Sequence, residues 1–167
     1  MPAITDTSPL NYLILIDAIE LLPRLYQQVI VPQAVFDEVK HPGAPAAVSR
    51  WANALPGWAE VRSSPKSDLD PGLAILGRGE REAIALAEVY RDAHVLLLLD
   101  EEAARQQATA RFLATTGTLG VLKSAAGLGW IDLAQAIDRL RQTNFRVSAK
   151  LLRQLLDDDA RRKGHPL

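Results

Sequence analysis

The chain has no cysteine, which excludes a disulfide framework, a thiolate metal site and a Cys nucleophile. It has no apolar run near the roughly 18–20 residues that cross a bilayer, and its start, MPAITDTSPL, lacks the basic residues and cleavage site of a secretory signal. These absences set the expectation of a cytoplasmic protein with no membrane partner. His41, His94 and His165 have no metal-ligand spacing, which argues against zinc. A GxSxG elbow, a Walker A loop and a GxGxxG fingerprint are also missing, and GRGE and GTLG read instead as turn or close-packing signals. No internal repeat or low-complexity segment occurs.

What is present suits one globular domain. The 167 residues are 48% apolar and 23% charged, enough to bury a single substantial core. The formal net charge of -1 argues against a protein that simply coats nucleic acid, but it hides an asymmetry. Residues 1–133 carry 11 Lys or Arg against 16 Asp or Glu, and residues 134–167 carry 8 against 4. An acidic body with a basic tail follows, the tail holding Arg139, Arg141, Arg146, Lys150, Arg153, Arg161, Arg162 and Lys163.

Hydrophobic patterning alternates strand and helix. AIT before Asp6 is a short strand, and SPLNYLILIDAIELLPRLY reads as the helix after it. QVIVP is a β-branched strand, PQAVFDEV a helix opened by proline, and the stretch around AAVSRWANAL a short helix. WAEVRSS is a short strand, and the turn-rich PKSDLDPG a mobile loop. GEREAIALAEVYRD is helical, and AHVLLLLD is a continuous apolar strand of the kind buried on both faces. EEAARQQATAR (helix), FLATTG (strand) and TLGVLKSAAGLG (helix) follow, and two amphipathic helices near 132–143 and 148–163 complete the chain. Such alternation predicts an α/β fold with a parallel sheet flanked by helices and a helical C-terminal tail. Trp51, Trp58 and Trp130 read as core residues.

In open parallel sheets the ligand crevice lies outside the carboxyl ends of the strands. Asp6 and Asp100 end two of the predicted strands. Glu38 shares a helix face with Ala34 and Val35, and Glu80 opens a helix whose next turns present Ile84 and Ala87. Glu80 and Glu82 project from different faces, so one of the two enters a shared pocket. Carboxylates about 4 Å apart repel by roughly 1 kcal/mol in water and several-fold more in a lower dielectric. A hard divalent cation removes that cost, and all-oxygen ligands suit Mg²⁺ or Mn²⁺, which can activate water against a phosphodiester. Each acid also has a plainer reading. Asp6 and Asp100 could be N-caps, Glu101 and Glu102 first-turn acids favoured by the helix dipole, and Glu38 a surface acid. Arg105 could meet a phosphate or pair with Glu101 or Glu102.

DTSPLNYLILID, VIVPQAVFDEV, GRGEREAIALA, LLLLDEEAAR and TTGTLGVLKSAAGLG, in this order, resemble a prokaryotic branch of the PIN-domain nucleases related to the VapC-type toxins of toxin–antitoxin pairs. The resemblance implies a PIN-like catalytic domain over 1–133, extended by the basic helices of 134–167. It implies a Mg²⁺- or Mn²⁺-dependent ribonuclease in which Asp6, Glu38, Glu80 and Asp100 are catalytic and metal-binding, with Glu82 as the alternative to Glu80. The family norm at that position is Asp, so Glu is a departure. Thr7 and Thr118 match small hydroxyl residues near such pockets, placed to orient a carboxylate or touch a phosphate.

The implied partners are an RNA substrate, a small antitoxin protein and a second copy of the chain. Two rivals stand beside this reading: a non-catalytic PIN-like binding module, and a metal-dependent phosphotransfer domain. The latter is disfavoured because its expected Lys on a late strand is here Lys123, within a predicted helix.

Overall fold

A computed structural model of the protein describes residues 1–64 and 70–164. Five strands form one all-parallel sheet: β1 (Pro2–Thr5), β2 (Gln28–Pro32), β3 (Ala59–Arg62), β4 (Leu96–Leu98) and β5 (Ala114–Thr116), in the order β3-β2-β1-β4-β5. The intervening helices are α1 (Thr7–Leu15), α2 (Leu21–Leu25), α3 (Gln33–Lys40), α4 (Ala46–Asn53), α5 (Arg78–Val89) and α6 (Glu102–Ala110). After β5 come α7 (Thr118–Gly127), α8 (Leu133–Arg141) and α9 (Ala149–Gly164). The α/β alternation read from the sequence is therefore the fold observed, and Lys123 lies in a helix.

Side-chain alternation along the central strands explains their composition. Ile4, Ile30, Leu97 and Leu99 belong to one core cluster with Ile84 and Ala87 of α5 and Ala104 and Ala108 of α6. Their neighbours Ala3, Val29, Val31 and Leu98 point the opposite way and are equally buried, so these strands have no solvent face to mark with polar residues.

One detail departs from the expected pattern. The predicted helix from Ser8 to Tyr26 is interrupted at Asp17, whose φ of 60° ends α1. The Ala18 N–H reaches Leu13 O at 2.7 Å and the Asp17 N–H reaches Ile14 O at 3.0 Å, the double bond of a Schellman turn. Helical spacing of the leucines survives the break, which is why periodicity alone reads through it. The PKSDLDPG segment lies mostly outside the described residues, but its end is held: Asp70 accepts from the Gly72 N–H at 2.8 Å and pairs with Arg111 at 2.9 Å.

Contacts divide the chain into two compact units, Met1–Thr118 and Leu119–Leu167. The boundary at 133 marks a change in charge balance, a different property from chain contacts. Within the second unit Leu133, Ile137, Leu140 and Leu152 are buried, and Asp132 caps α8 by accepting from the Gln135 N–H at 3.0 Å. Lys163 bridges Asp132 (3.3 Å) and Asp159 (2.8 Å), and Arg162 pairs with Asp159 at 2.6 Å. Two of the eight basic tail residues are thus engaged within their own unit.

Candidate active site

The sheet reverses its direction of growth between β1 and β4: β2 and β3 lie on one side, β4 and β5 on the other. Loops leaving these two strands diverge to opposite sides, which opens a crevice at their carboxyl ends. Asp6 follows β1 directly, and its N–H bonds Leu98 O at 3.0 Å, extending the β1–β4 ladder. Asp100 lies two residues beyond β4. These two acids flank the switch point.

Neither acid's side chain caps the helix that follows it. Asp6 occupies the N-cap position of α1 but makes no side-chain capping bond, and Glu101, not Asp100, is the N-cap residue of α6. Asp100 instead accepts the Thr118 N–H at Oδ1 and the Thr118 hydroxyl at Oδ2, both at 2.7 Å. Arg105 donates to the Asp100 carbonyl oxygen at 2.7 Å and so ties down the backbone of the strand end. Among the described residues it forms no ion pair with Glu101 or Glu102.

Glu38 reaches the cluster from α3. Ala34 and Val35, on the same face, are buried, while Glu38 stays exposed at the rim and accepts a short hydrogen bond from the Thr7 hydroxyl. Glu80 arrives from the first turn of α5, with Oε2 accepting the Gly77 N–H at 3.0 Å. Glu82 goes elsewhere. It is buried, its Oε2 accepts from Ala34 N–H at 2.6 Å and its Oε1 from Ser64 N–H at 2.9 Å, so its carboxylate joins the start of α3 to the end of β3. That geometry sets Glu82 apart from the four other acids.

Two glycines make room for the cluster. A Cβ on Gly79 would stand 2.9 Å from Asp6 Oδ1, 3.0 Å from Val35 Cγ2 and 3.3 Å from Glu38 Oε1. A Cβ on Gly117 would stand 2.7 Å from Asp100 Oδ1 and 3.2 Å from Leu99 O. In the sequence GRGE and GTLG read as turn or packing signals, with no link to the acids. The available clue was Gly79 inside a helical turn, where glycine costs about 1 kcal/mol against alanine and so marks a close approach.

Electrostatics bind the acids into one group. Burial lifts the Asp6 carboxyl from 3.8 to about 7, partly offset by the Thr7 backbone N–H, and the fields of Glu80, Glu38 and Asp100 add to the rise. Burial also raises Glu80, against the Gly77 N–H, with Glu101 and Glu38 contributing. Asp100 is raised by burial despite the two Thr118 bonds and the Arg105 charge, and Glu101 again pushes upward. Glu101, read from sequence as a first-turn helix acid, is therefore an electrostatic member of the cluster. Its adjacency to Asp100 in the DEE run was the clue.

A cation fits this donor set on chemical grounds: the side chains offer hard oxygens only, and burial, with a smaller push from the neighbouring acids, raises Asp6 to about 7, a cost that a bound cation would relieve. Among the described residues, no group of three or more His, Asp or Glu side chains stands close enough to ligate one ion as placed.

A family model described as a PIN domain matches residues 2–160 of the chain. A search of curated proteins finds no match.

Proposed function

The chain belongs to the PIN-domain family, whose fold is of the nuclease type, and we propose that it is a Mg²⁺- or Mn²⁺-dependent ribonuclease. The observation that carries this reading is the convergence of Asp6, Glu38, Glu80 and Asp100 on the crevice at the β1–β4 switch point, with Asp6 raised to about 7 by burial and by the other three. These four residues would hold the ion, their side chains closing on it from positions in which no three of the described ones yet stand within reach of a single ion. The chemistry it supplies when bound is neutralisation of the scissile phosphate and activation of a water molecule for attack.

The chain's own residues prepare that event. Thr118 fixes the plane of Asp100, and Arg105 fixes the backbone beneath it. Thr7 sets the orientation of Glu38 at the rim. Gly79 lets the first turn of α5 approach Asp6, which brings Glu80 to the same crevice. Water attacks phosphorus and the P–O bond to the leaving nucleoside breaks, with no covalent protein intermediate. With purified protein and a single-stranded RNA substrate, cleavage should require Mg²⁺ or Mn²⁺ and stop with EDTA. Unchanged cleavage by both Asp6→Asn and Asp100→Asn would sink this mechanism.

Resemblance to the VapC-type branch supports a role as the toxin of a toxin–antitoxin pair in the cytoplasm. An antitoxin that inserts an Arg or Lys among the acids would satisfy their charge. A small open reading frame beside this one, whose product abolishes cleavage, is the supporting result. A homodimer would align two crevices on one RNA, and sedimentation tests it. Arg139, Arg141 and Arg146 are the proposed backbone contacts; their triple Ala variant should weaken RNA binding and flatten its salt dependence.

One observation favours a second reading, a non-catalytic binding module: as placed, the described acids do not form a ready set of three ligands. Calorimetry separates the two, since no heat of binding at millimolar Mn²⁺ supports the module.

A further inference from the structure

Thr7 and Glu38 face two features. Besides the acid cluster they line an open cleft of about 630 Å³, formed where α1, α3 and α4 pack pairwise and lined also by residues of the 41–45 turn. This volume falls within the roughly 300–1,000 Å³ typical of small-ligand pockets. Val39, Pro45 and Val48 supply apolar walls. The polar groups are few and sit at definite places.

His41 is held by its own turn. Its Nδ1 accepts the Gly43 N–H at 3.0 Å, so the neutral ring carries its proton on Nε2 and presents a fixed donor. Asn11 offers an amide, donor and acceptor together, with no hydrogen bond among the described residues. Arg78, exposed at the first position of α5, has no ion pair among the described residues. Asp37 and Glu38 also line the cleft, and Asp37 is tied to Gln33 Nε2 at 2.8 Å. With two acids in its lining, the interior disfavours an anionic group. A flat, neutral ring with mixed donors and acceptors along its edge matches both the apolar walls and the polar groups.

We propose that this cleft is a nucleobase subsite: it takes the base flanking the scissile phosphate of single-stranded RNA, with His41 and Asn11 reading the base edge and Arg78 meeting the adjoining phosphate. The proposal rests on the ribonuclease reading above and names where its base preference resides. Unstacked bases of single-stranded RNA expose the hydrogen-bonding edges that such a site needs. Continuity with the acid cluster through Thr7 and Glu38 puts the subsite beside the phosphate that would be cut.

Two measurements test it. In amide NMR spectra of the metal-free protein, at least one of the four nucleoside 5′-monophosphates should shift the Gly43 and Ala44 signals, and ribose 5-phosphate should not. In cleavage of a base-randomised oligoribonucleotide pool, His41→Ala and Asn11→Ala should lower kcat/KM for the preferred flanking base about 10-fold and flatten the preference. Both substitutions are at exposed or half-buried positions, and melting curves verify folding. Nucleotide-induced shifts from a protein that cleaves no RNA would keep the subsite and remove the ribonuclease reading. Cleavage with an unchanged base profile in both variants, and no nucleotide-induced shift, would overturn the subsite while the ribonuclease stands. Equal shifts with ribose 5-phosphate would mark an anion site and overturn it too, as would a cleft whose amides respond only to a protein inhibitor.

Discussion

Thr118 holds both oxygens of Asp100, its backbone N–H on Oδ1 and its hydroxyl on Oδ2, each at 2.7 Å. The grip pins the carboxylate plane at the end of β4 and offsets part of the burial that raises its pKa. Thr118→Val keeps the N–H bond and the side-chain volume but removes the hydroxyl. Mn²⁺ affinity measured by calorimetry should fall about 10-fold, as it does when an outer partner of a metal ligand is lost. Unchanged affinity would mean that the N–H alone suffices.

Asp6 makes the metal-free protein less stable as pH rises. Its folded pKa of about 7 lies above the ordinary 3.8, so between these values the folded state holds more protons than the unfolded one. Stability therefore falls with increasing pH across that window, by up to about 1.4 kcal/mol per pH unit from this group. Urea denaturation in EDTA should show greater stability at pH 5 than at pH 7.5. Asp6→Asn should shrink the difference, leaving the part that the raised Glu80 and Asp100 contribute, while lowering metal-dependent cleavage by at least about 100-fold.

Glu80 and Glu82 should separate cleanly on two readouts. Glu82→Gln keeps one acceptor oxygen but leaves either the Ala34 or the Ser64 N–H without a partner in a buried place, at a cost of about 1–3 kcal/mol. Its cleavage rate per folded molecule should survive. Glu80→Gln retains an acceptor for the Gly77 N–H, so the melting temperature should hold while cleavage is lost. The opposite pattern would exchange their roles.

Gly79→Ala sets two effects against each other. Alanine improves the helix by about 1 kcal/mol, yet its Cβ meets Val35 and Asp6 at 3.0 Å and 2.9 Å. Crowding against a buried valine costs about 1–3 kcal/mol, so net stability should drop slightly. Displacement of α5 from Asp6 should weaken Mn²⁺ binding as well, which calorimetry on the folded variant would register.

Much of this is legible in the sequence. The strand VLLLL is uniformly apolar because both its faces are covered, and that pattern survives in any reading of the chain. Asp6 and Asp100 could be placed because strand ends are fixed by where the apolar runs stop. Glu82 could not be distinguished from Glu80, since its partners, the N–H groups of Ala34 and Ser64, lie 48 and 18 residues away in the chain. The break at Asp17 was hidden for a related reason: an aspartate in the left-handed region leaves no mark in hydrophobic spacing.

The central position of β1 also governs when the site comes into being. Its first partner, β2, is synthesised some two dozen residues later, but its second partner pairs Ala3 with Leu96. Asp100 and the threonine that grips it, residue 118, leave the ribosome later still. A nascent chain that ends between residues 38 and 79 carries Asp6 and Glu38 without Glu80 and Asp100, and one that ends before 118 lacks the threonine that orients Asp100. On the proposed ribonuclease reading, the site would be complete only after Thr118, residue 118 of 167, has been added.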